Sequence, residues 1–596
     1  ASIVWEGLAT VEGAAGTSRS TLPPSSEELA SNPFDVVGLR HFPATECHFC
    51  RKPFDEDGDC PTPSCVLAQR SRTRRLRQST SPAPAARTAT PHAPQPVAPA
   101  LPATSTHPTP DPSTVSFPLL WRTLPRPLWG QLIAAAEPVL ARYAAAPPRS
   151  PAQHLALAEF IALPAARLRC AQGHQRQRTL AVSRSLSDPA HVPASTTATT
   201  SATSRLQTGE DTSAMRRCAA LFRQGLLQKA VAALARLTTP HRPFNDVVSA
   251  LAALHPAGDN PPPADAATSP PPLILAEEME HCCDRMCTGR SPGPSGWTAE
   301  LLLPLCGSCR TRDNLTRLLN DIAANQVSLP SAAMLRRCLL IGLSKPLDPS
   351  GIRPIAMGEV LVKIAASILF EKHRDAISPL FHGIQFGVLA PRGAEAIVHG
   401  LRQDMAQHPS MVVATLDMKN AFNSVCRVAL AEALGPRWHF ARPLFDLEYQ
   451  QPGELLVRGK DGVNASIWSR RGVRQGSVLS SFLFALAIHP ILEETVRRHT
   501  GVKLRAYLDD ITLFGTARET EDAAKHLEIA LRPLGLNLNH TKCEWLPAHE
   551  SDAIPTGFVR SKHWPCIKVL GAFLHRPDGG SDHAGQLLLD RAITEH

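Results

Sequence analysis

The chain has 596 residues, too many for one hydrophobic core, and its length predicts about three or four domains. Charged residues make up 19 % and hydrophobic residues 43 % of the chain, which excludes disorder throughout, although the 55 prolines cluster. The formal net charge of +9 is compatible with a polyanionic partner. No apolar run reaches the ~18 residues that a membrane span needs, and the N-terminus carries no secretory signal.

The first predicted element is a small cysteine-rich module at 41–68, which follows an N-terminal tail at 1–40. Four thiolates at short intervals can close a tetrahedral zinc site, and the acidic run "DEDGD" between the pairs reads as a turn. The sequence therefore predicts structural Zn²⁺, with unligated cysteines in a disordered tail as the alternative. Either His41 or His48 could replace one ligand. The predicted ligands are Cys47, Cys50, Cys60 and Cys65.

Composition changes divide the next part of the chain. The basic run "QRSRTRRLRQ" reads either as a solvated linker edge or as a nuclear-import or nucleic-acid patch. The Pro-rich stretch after it cannot bury enough apolar surface to fold, which predicts a disordered linker. Helical patterns then alternate with a Ser/Thr-rich break. The predicted segments are a basic and Pro-rich linker (69–116), a helical region (117–182), a Ser/Thr-rich linker (183–213) and a helical N-terminal extension (214–284).

Two acidic motifs stand out in the remaining region. In "MVVATLDMKNAFNSV" an apolar, strand-like run ends at Asp417. In "KLRAYLDDITLF" two short predicted strands are joined by a tight turn at Leu508, Asp509 and Asp510. Neighbouring buried carboxylates repel each other, so one of them takes up a proton unless a cation compensates.

A metal ion would explain this arrangement. If Asp417 meets the Asp509–Asp510 pair in space, two Mg²⁺ ions would neutralise the carboxylates, because hard oxygen ligands suit Mg²⁺. Two ions ~4 Å apart could activate a 3′-hydroxyl and stabilise a leaving pyrophosphate. An acidic turn on a surface hairpin is the alternative interpretation.

Residues 285–575 resemble, in colinear order, a reverse transcriptase of the site-specific non-LTR retrotransposon type. The sequence "RPIAMGEVLVKIAASILFEK" most resembles the proteins of trypanosomatid elements inserted in spliced-leader genes (SLACS/CZAR type). Eight blocks in order make a specific signal. The blocks are "TGRSPGPSGWTAELL", "LSKPLDPSGIRPIAMGEVLVKI", "IQFGVLAPRGAEAIVHGL", "LDMKNAFNSV", "RRGVRQGSVLSSFLFALAIHPIL", "YLDD", "LGLNLNHTKCEWL" and "IKVLGAFL".

The resemblance implies an α+β fold, in which a right-hand polymerase follows the zinc module and the Pro-rich linkers along the chain. Helical fingers would occupy 285–405, an antiparallel-sheet palm 406–560, and the primer grip with the start of the thumb 561–596. The chain lacks an initiator Met and stops at His596, so we expect a truncated thumb and assign no C-terminal endonuclease.

The implied activity is RNA-directed DNA synthesis, a nucleotidyl transfer that copies element RNA into DNA at a target site. The implied partners are template RNA, primer or target DNA and deoxynucleoside triphosphates, in the nucleus and without a membrane. A group II intron-type or telomerase-like reverse transcriptase is one alternative. A catalytically dead nucleic-acid-binding remnant is the other.

The resemblance assigns Asp417, Asp509 and Asp510 as catalytic residues and Mg²⁺ ligands, with Asp510 acting more through its charge. Phe422 matches the steric gate, whose ring would exclude the 2′-hydroxyl of a ribonucleotide. Without the resemblance, Phe422 would be read as an ordinary core residue on an apolar helix face.

Five further residues are predicted to bind substrate. Gln475 could hydrogen-bond the nucleotide or the template, and Gly476 would let the backbone approach closely. Arg353 and Lys345 would neutralise the triphosphate. Lys542 would protonate the pyrophosphate or hold its charge, and for both lysines a solvated surface position is the alternative.

The sequence departs from the family pattern at three positions, none of which removes a predicted metal ligand. The family usually has Ala at the place of Leu508, and often has Asp at the places of Ser477 and Ser295.

Overall fold

The structure is a computed structural model. It describes residues 120–170, 175–188, 218–219, 243–258, 260–262, 270–287, 289, 291–345, 348–458 and 464–576. These residues belong to one compact unit that includes Thr109–His596. The predicted zinc ligands Cys47, Cys50, Cys60 and Cys65, and the basic and Pro-rich linker, lie outside the described residues.

The described residues before the first strand form helices. Several helices begin at a side-chain cap: Ser150 Oγ accepts a hydrogen bond from Gln153 N–H, and Thr298 Oγ1 accepts one from Leu301 N–H. These helices are α1 (Trp129–Ala145), α2 (Pro151–Arg167), α3 (Gln175–Ser187), α4 (Phe244–Ala253), α5 (Ala276–Met286), α6 (Ala299–Gly307), α7 (Arg312–Ala323) and α8 (Leu329–Arg336).

Helix α3 runs past the predicted boundary at residue 182 and ends at Ser187. Its buried face explains the extension, since Val182 and Leu186 lie one helical turn apart and are both buried. The Ser/Thr-rich composition that suggested a linker from 183 onward therefore begins inside a helix.

The rest of the described chain contains both helices and strands. The helices are α9 (Val360–Lys372), α10 (Arg374–Ile377), α11 (Gly393–Gln407), α12 (Ala421–Ser424), α13 (Arg427–Leu434), α14 (Arg442–Tyr449), α15 (Ser480–Arg498) and α16 (Ala517–Leu531). The strands are β1 (Cys338–Lys345), β2 (Asp348–Gly358), β3 (Val412–Leu416), β4 (Gly453–Arg458), β5 (Asn464–Ser469), β6 (Lys503–Tyr507), β7 (Asp510–Gly515), β8 (Glu544–Leu546), β9 (Val559–Arg560), β10 (Cys566–Val569) and β11 (Ala572–His575).

Within the described residues the strands form a five-stranded sheet (order β6-β7-β3-β8-β9), a four-stranded sheet (β2-β1-β4-β5) and the β10–β11 hairpin. The five-stranded sheet is buried on both faces at its central strand β3. Val412, Ala414 and Leu416 join the main core with α15 and α16, whereas Val413 packs with α11 and the β10–β11 hairpin. Burial on both faces explains why the β3 sequence is continuously apolar.

The region predicted as helical fingers, 285–405, also contains a β-hairpin, so that prediction is incomplete. Strands β1 and β2 pair antiparallel, and β1 pairs parallel with β4. The β1 sequence alternates with a period of two: Cys338 and Leu340 pack against Leu251 of α4, while Ile341 and Leu343 are exposed. This alternation is typical of a strand with one buried face.

The N-terminal helices pack directly on the segment after 285. Trp297 Nε1–H donates to the Phe160 carbonyl at 2.8 Å, and the two rings stack with centroids 4.8 Å apart. Tyr143 of α1 donates its hydroxyl hydrogen to Asp321 of α7 at 2.9 Å. Within the described part of the chain, no helix combines the length and apolarity that crossing a bilayer requires.

Glu359, directly before α9, is a buried carboxyl. It accepts hydrogen bonds from Ser295 N–H, at 2.9 Å, and from the Ser295 hydroxyl. Burial raises the pKa of Glu359 to about 7, and the two hydrogen bonds from Ser295 act in the opposite direction.

The raised pKa makes the stability of the chain depend on pH. The pKa of the folded state lies above the ordinary value of 4.5, so the folded state binds this proton more tightly than the unfolded state. The contribution is complete below about pH 4.5 and is lost as the pH rises through about 7. Glu359→Gln keeps an acceptor for Ser295 and removes the ionisation. We expect the urea-unfolding free energy of the wild type, relative to this variant, to fall by on the order of 2–3 kcal/mol between about pH 5 and about pH 8.

Glu371→Gln is the matched control, because Glu371 lies near the end of the same helix with its side chain 49 % exposed. The control should follow the wild-type pH dependence. Identical pH profiles for the wild type and Glu359→Gln would contradict the assignment.

Candidate active site

The pairing of β3 with β7 brings the two acidic motifs together. The prediction that the apolar run ends at Asp417 agrees with the structure, because β3 ends at Leu416. Leu416 lies opposite Ile511 in the antiparallel register. Asp417, the next residue, lies close enough to Asp509 and Asp510 to act electrostatically on both.

The second motif is a β-hairpin with a two-residue turn. Tyr507 pairs with Asp510, so the turn consists of Leu508 and Asp509, and Asp510 is the first residue of β7. The predicted three-residue turn was wrong by one residue. Leu508 adopts a left-handed conformation with φ 58°. The hairpin thus presents Asp509 at its tip, beside Asp417 and Asp510.

Asn539, which the sequence analysis did not single out, supports Asp417. Asn539 Nδ2 donates to Asp417 Oδ2 at 3.2 Å, and Asn539 N–H donates to the Asp417 carbonyl at 2.8 Å. The contacts join positions 122 residues apart in the chain. An asparagine in the polar stretch "NLNHTK" was the available signal, but it did not indicate this partner.

The three carboxylates influence one another electrostatically. Burial raises the pKa of Asp509, and the charge of Asp417 adds to this effect. Although Asp510 as a whole residue is exposed, desolvation of its carboxyl group by neighbouring protein atoms raises its pKa to about 7, with further contributions from Asp509 and Asp417. Arg353 lowers both pKa values. Asp510 is exposed and Asp509 partly exposed, so the crowded negative charge opens onto solvent, where a cation can reach it.

These residues fit Mg²⁺ as donors, although not as a complete cage. Within the described residues, no three His, Cys, Asp or Glu side chains converge closely enough to hold a metal ion by themselves. Mg²⁺ in nucleotide-handling enzymes is usually held by one or two carboxylates together with substrate phosphates and water. The assignment of the three aspartates as ligands stays a prediction.

Phe422 lies on the short helix α12, five residues after Asp417. Its ring is half-buried and stacks on Phe484, with ring centroids 4.9 Å apart and an interplanar angle of 11°. The Phe422 carbonyl accepts a hydrogen bond from Val473 N–H at 2.7 Å. This contact joins the predicted steric gate to the residue directly before the "RQGS" block (474–477), and the gate role stays a prediction.

The "RQGS" block packs against strand β2. Ala356 N–H donates to the Gln475 carbonyl at 2.8 Å. Gly476 has φ 124°, and a Cβ at this position would lie 2.3 Å from the Ala356 carbonyl oxygen. Glycine is therefore required here for packing against β2, a reason that the sequence analysis did not give.

A buried ion pair between Arg474 and Glu448 anchors the same block to the protein core. Arg474 donates to Glu448 Oε1 at 2.6 Å and to the Arg336 carbonyl at 2.6 Å. Ser477 Oγ donates to Glu448 Oε2 at 2.9 Å. Both carboxylate oxygens of Glu448 are therefore occupied, which fixes the backbone on either side of Gln475 and Gly476.

The predicted phosphate-binding residues differ in how closely the structure ties them to the aspartates. Arg353 is exposed on β2 and acts electrostatically on Asp509 and Asp510. Lys345 ends β1, and its side chain lies outside the described residues. Lys542 is exposed, and its N–H donates to the carbonyl of Asn539 at 2.8 Å.

The family comparison covers this whole site. Residues 343–571 match the family described as "Reverse transcriptase (RNA-dependent DNA polymerase)". This segment is similar to reverse transcriptases. It contains every predicted catalytic and substrate-binding residue, from Lys345 to Lys542.

Two curated relatives are retrotransposon or transposon proteins. The "Retrotransposable element SLACS 132 kDa protein" of Trypanosoma brucei gambiense is 32 % identical over 305 residues, covering 49 % of this chain and 25 % of the relative. The "Transposon TX1 uncharacterized 149 kDa protein" of Xenopus laevis is 26 % identical over 328 residues, covering 50 % and 24 %. The matches span about a quarter of the length of these relatives. The predicted resemblance to a reverse transcriptase of a SLACS-type non-LTR element is confirmed.

Among solved structures, apo telomerase from Candida Tropicalis truncated from the C-terminal domain aligns with a TM-score of 0.31 at 13 % identity, over 41 % of this chain and 54 % of that chain. A second structure of apo telomerase from Candida Tropicalis aligns with a TM-score of 0.32 at 12 % identity, over 41 % and 47 %.

Proposed function

We propose that this chain is the RNA-directed DNA polymerase of a non-LTR retrotransposon, which copies element RNA into DNA at a target site. The observation that carries the proposal is the β3–β7 register, which sets Asp417 beside the Asp509–Asp510 hairpin within the segment that is similar to reverse transcriptases. The proposed architecture is a right-hand polymerase. The five-stranded sheet would be the palm, the β1–β2 hairpin and its neighbouring helices the fingers, and the β10–β11 hairpin the primer grip, with the start of the thumb at 561–596.

Asp417 and Asp509 would hold two Mg²⁺ ions, and Asp510 would add its charge. The bound ions would supply activation of a primer 3′-hydroxyl and stabilisation of the leaving pyrophosphate. Arg353, which already acts on this acidic cluster, would bind the triphosphate in a bidentate manner. The positive charge of Arg353 would attract the triphosphate to the carboxylates, which would remain open to solvent and thus to a metal ion.

Four further residues would contact the substrate. Gln475, held between Arg474 and Ser477, would hydrogen-bond the nucleotide or the template. Gly476 would let the backbone approach the nucleotide closely, and Lys345 would help to neutralise the triphosphate. Lys542 would hold the charge of the pyrophosphate or donate a proton to it. Template RNA and primer DNA would bind largely through their phosphates, so binding should weaken as the salt concentration rises.

Primer extension tests the proposed activity directly. On poly(rA)/oligo(dT) with Mg²⁺, we expect Asp509→Asn to lower the rate at least about 10³-fold, because it removes several kcal/mol of charge stabilisation in the transition state. Asp313→Asn is the matched control, since the Asp313 side chain is 79 % exposed on α7. Extension by the wild type that is unchanged in Asp509→Asn would contradict the proposed role of Asp509, and a wild type that extends no primer would contradict the proposal and favour a nucleic-acid-binding remnant.

Phe422 is the proposed steric gate, and its removal should change which sugar is accepted. Phe422→Val should lower the preference for deoxynucleotides over ribonucleotides about 10- to 100-fold, because the smaller side chain leaves room for the 2′-hydroxyl. The ratio of kcat/KM for dTTP and UTP measures this preference. Phe558→Val is the control, as Phe558 is also half-buried and contacts an aromatic ring, that of Trp545. An unchanged ratio in Phe422→Val would rule out the gate.

The Cys-rich module and the nuclear location also belong to the proposal. We propose that Cys47, Cys50, Cys60 and Cys65 bind structural Zn²⁺ and that this module binds target DNA or element RNA. Metal analysis by mass spectrometry of the full chain should find zinc that is lost in Cys47→Ser and Cys50→Ser. Zinc content unaffected by both changes would exclude this site.

A further inference from the structure

Gln385 is a buried polar residue that contacts the turn of the catalytic hairpin. Its side chain is 1 % exposed. Gln385 Oε1 accepts hydrogen bonds from Leu508 N–H at 2.7 Å and from Gly387 N–H at 3.0 Å. Gln385 Nε2 faces the Leu508 carbonyl at 3.4 Å. Because two N–H groups point at one amide oxygen, the orientation of the amide is determined by its neighbours.

The backbone around Gln385 is fixed to the same hairpin. Phe386 N–H donates to the Ala506 carbonyl at 2.7 Å, and Ala506 N–H donates to the Ile384 carbonyl at 2.8 Å. Strand β6 is the edge of the five-stranded sheet, so these bonds cover groups that would otherwise be unpaired. The segment 384–386 is therefore hydrogen-bonded to the strand that leads directly into the turn.

The turn itself has a sequence that does not favour its conformation. Leu508 is the first of the two turn residues and has φ 58°, a position that hairpins usually give to glycine. A leucine in the left-handed region is unfavourable because of its Cβ. The Leu508 N–H is also removed from solvent, so it needs a partner. Gln385 supplies that partner from a site 123 residues earlier in the chain.

Gly387 completes the contact by allowing close approach. A Cβ at Gly387 would lie 2.6 Å from Leu508 Cγ and 2.8 Å from Leu508 N. Any side chain at 387 would thus push the turn away from Gln385. Glycine here and glutamine two residues earlier are therefore parts of one contact with Leu508.

We propose that Gln385 is a positioning residue, which holds Leu508 in the left-handed conformation and thereby aims the carboxylate of Asp509. This inference rests on the proposed polymerase function, and it goes beyond it by assigning a role to a residue that touches neither substrate nor metal. Packing alone would be satisfied by a methionine of similar size. The hydrogen bonds to the turn are what methionine lacks.

The test compares Gln385→Met and Gly387→Ala with Gln153→Met in the full chain. Gln153 of α2 is the matched control, because it is a glutamine only 2 % exposed whose Nε2 donates to Asp321 of α7, far along the chain from the hairpin. We expect both site variants to lower the rate of nucleotide addition with Mg²⁺ about 10- to 100-fold, as displacement of a catalytic group by about 1 Å does. The KM for the nucleotide should stay within about threefold of the wild-type value, because the triphosphate contacts are intact.

Two readouts separate positioning from a loss of stability. Mn²⁺ affinity, measured by electron paramagnetic resonance without nucleic acid, should weaken about 5- to 10-fold in Gln385→Met and remain unchanged in Gln153→Met. The rate with Mg²⁺ should fall more than the rate with Mn²⁺, because Mg²⁺ demands near-ideal octahedral geometry. The effect of Gln385→Met should also be smaller in a Leu508→Gly background, since glycine adopts the turn conformation without support.

The outcomes distinguish this inference from the proposed function. Synthesis that depends on Asp509 but is unchanged in Gln385→Met, with wild-type Mn²⁺ affinity, overturns the positioning role alone. Equal losses in Gln385→Met and Gln153→Met also overturn it. A wild-type chain that neither binds Mn²⁺ nor extends a primer overturns both proposals.

Discussion

The antiparallel pairing of β3 with β7 is the interaction on which the rest of the site depends. Five residue pairs, from Val412–Gly515 to Leu416–Ile511, fix the register and bring Asp417 near the acidic hairpin tip. A one-residue slip would turn the buried side chains of β3 to the opposite face of the sheet. Apolar packing on both faces therefore holds together carboxylates that repel one another.

Polar groups from distant parts of the chain then contact two of the carboxylate positions. Asn539 donates to the side chain and carbonyl of Asp417, and Gln385 accepts from Leu508, the turn residue directly before Asp509. Arg353 supplies opposing charge from a different sheet. The fold thus surrounds the repelling carboxylates with specific hydrogen bonds. This arrangement fixes the positions of the carboxylates at a cost in the folding stability of the chain.

Two of the departures from the family pattern, Ser295 and Ser477, are explained by hydrogen bonds to buried glutamates. Ser295 donates to Glu359, and Ser477 donates to Glu448. An aspartate at either position would face a buried carboxylate and would have no hydrogen to donate when ionised. These serines are therefore consistent with an intact structure around the site.

The sequence alone predicted the end of β3 at Asp417 and the acidic hairpin, because both are encoded by local runs of apolar and turn-forming residues. It did not predict the β1–β2 hairpin, whose alternation was hidden within a region read as helical. It also missed Gln385 and Asn539, because their roles depend on partners 123 and 122 residues away. Local patterns carry no information about such contacts until the sheet is assembled.

The most direct test of the central claim is anomalous diffraction from crystals of the chain with primer–template, a non-reactive nucleotide and Mn²⁺. The account predicts two anomalous peaks about 4 Å apart, bound by carboxylate oxygens of Asp417 and Asp509 and by the substrate phosphates. A bound nucleotide with no anomalous peak beside Asp417 and Asp509, or with peaks bound only by other residues, would contradict this account.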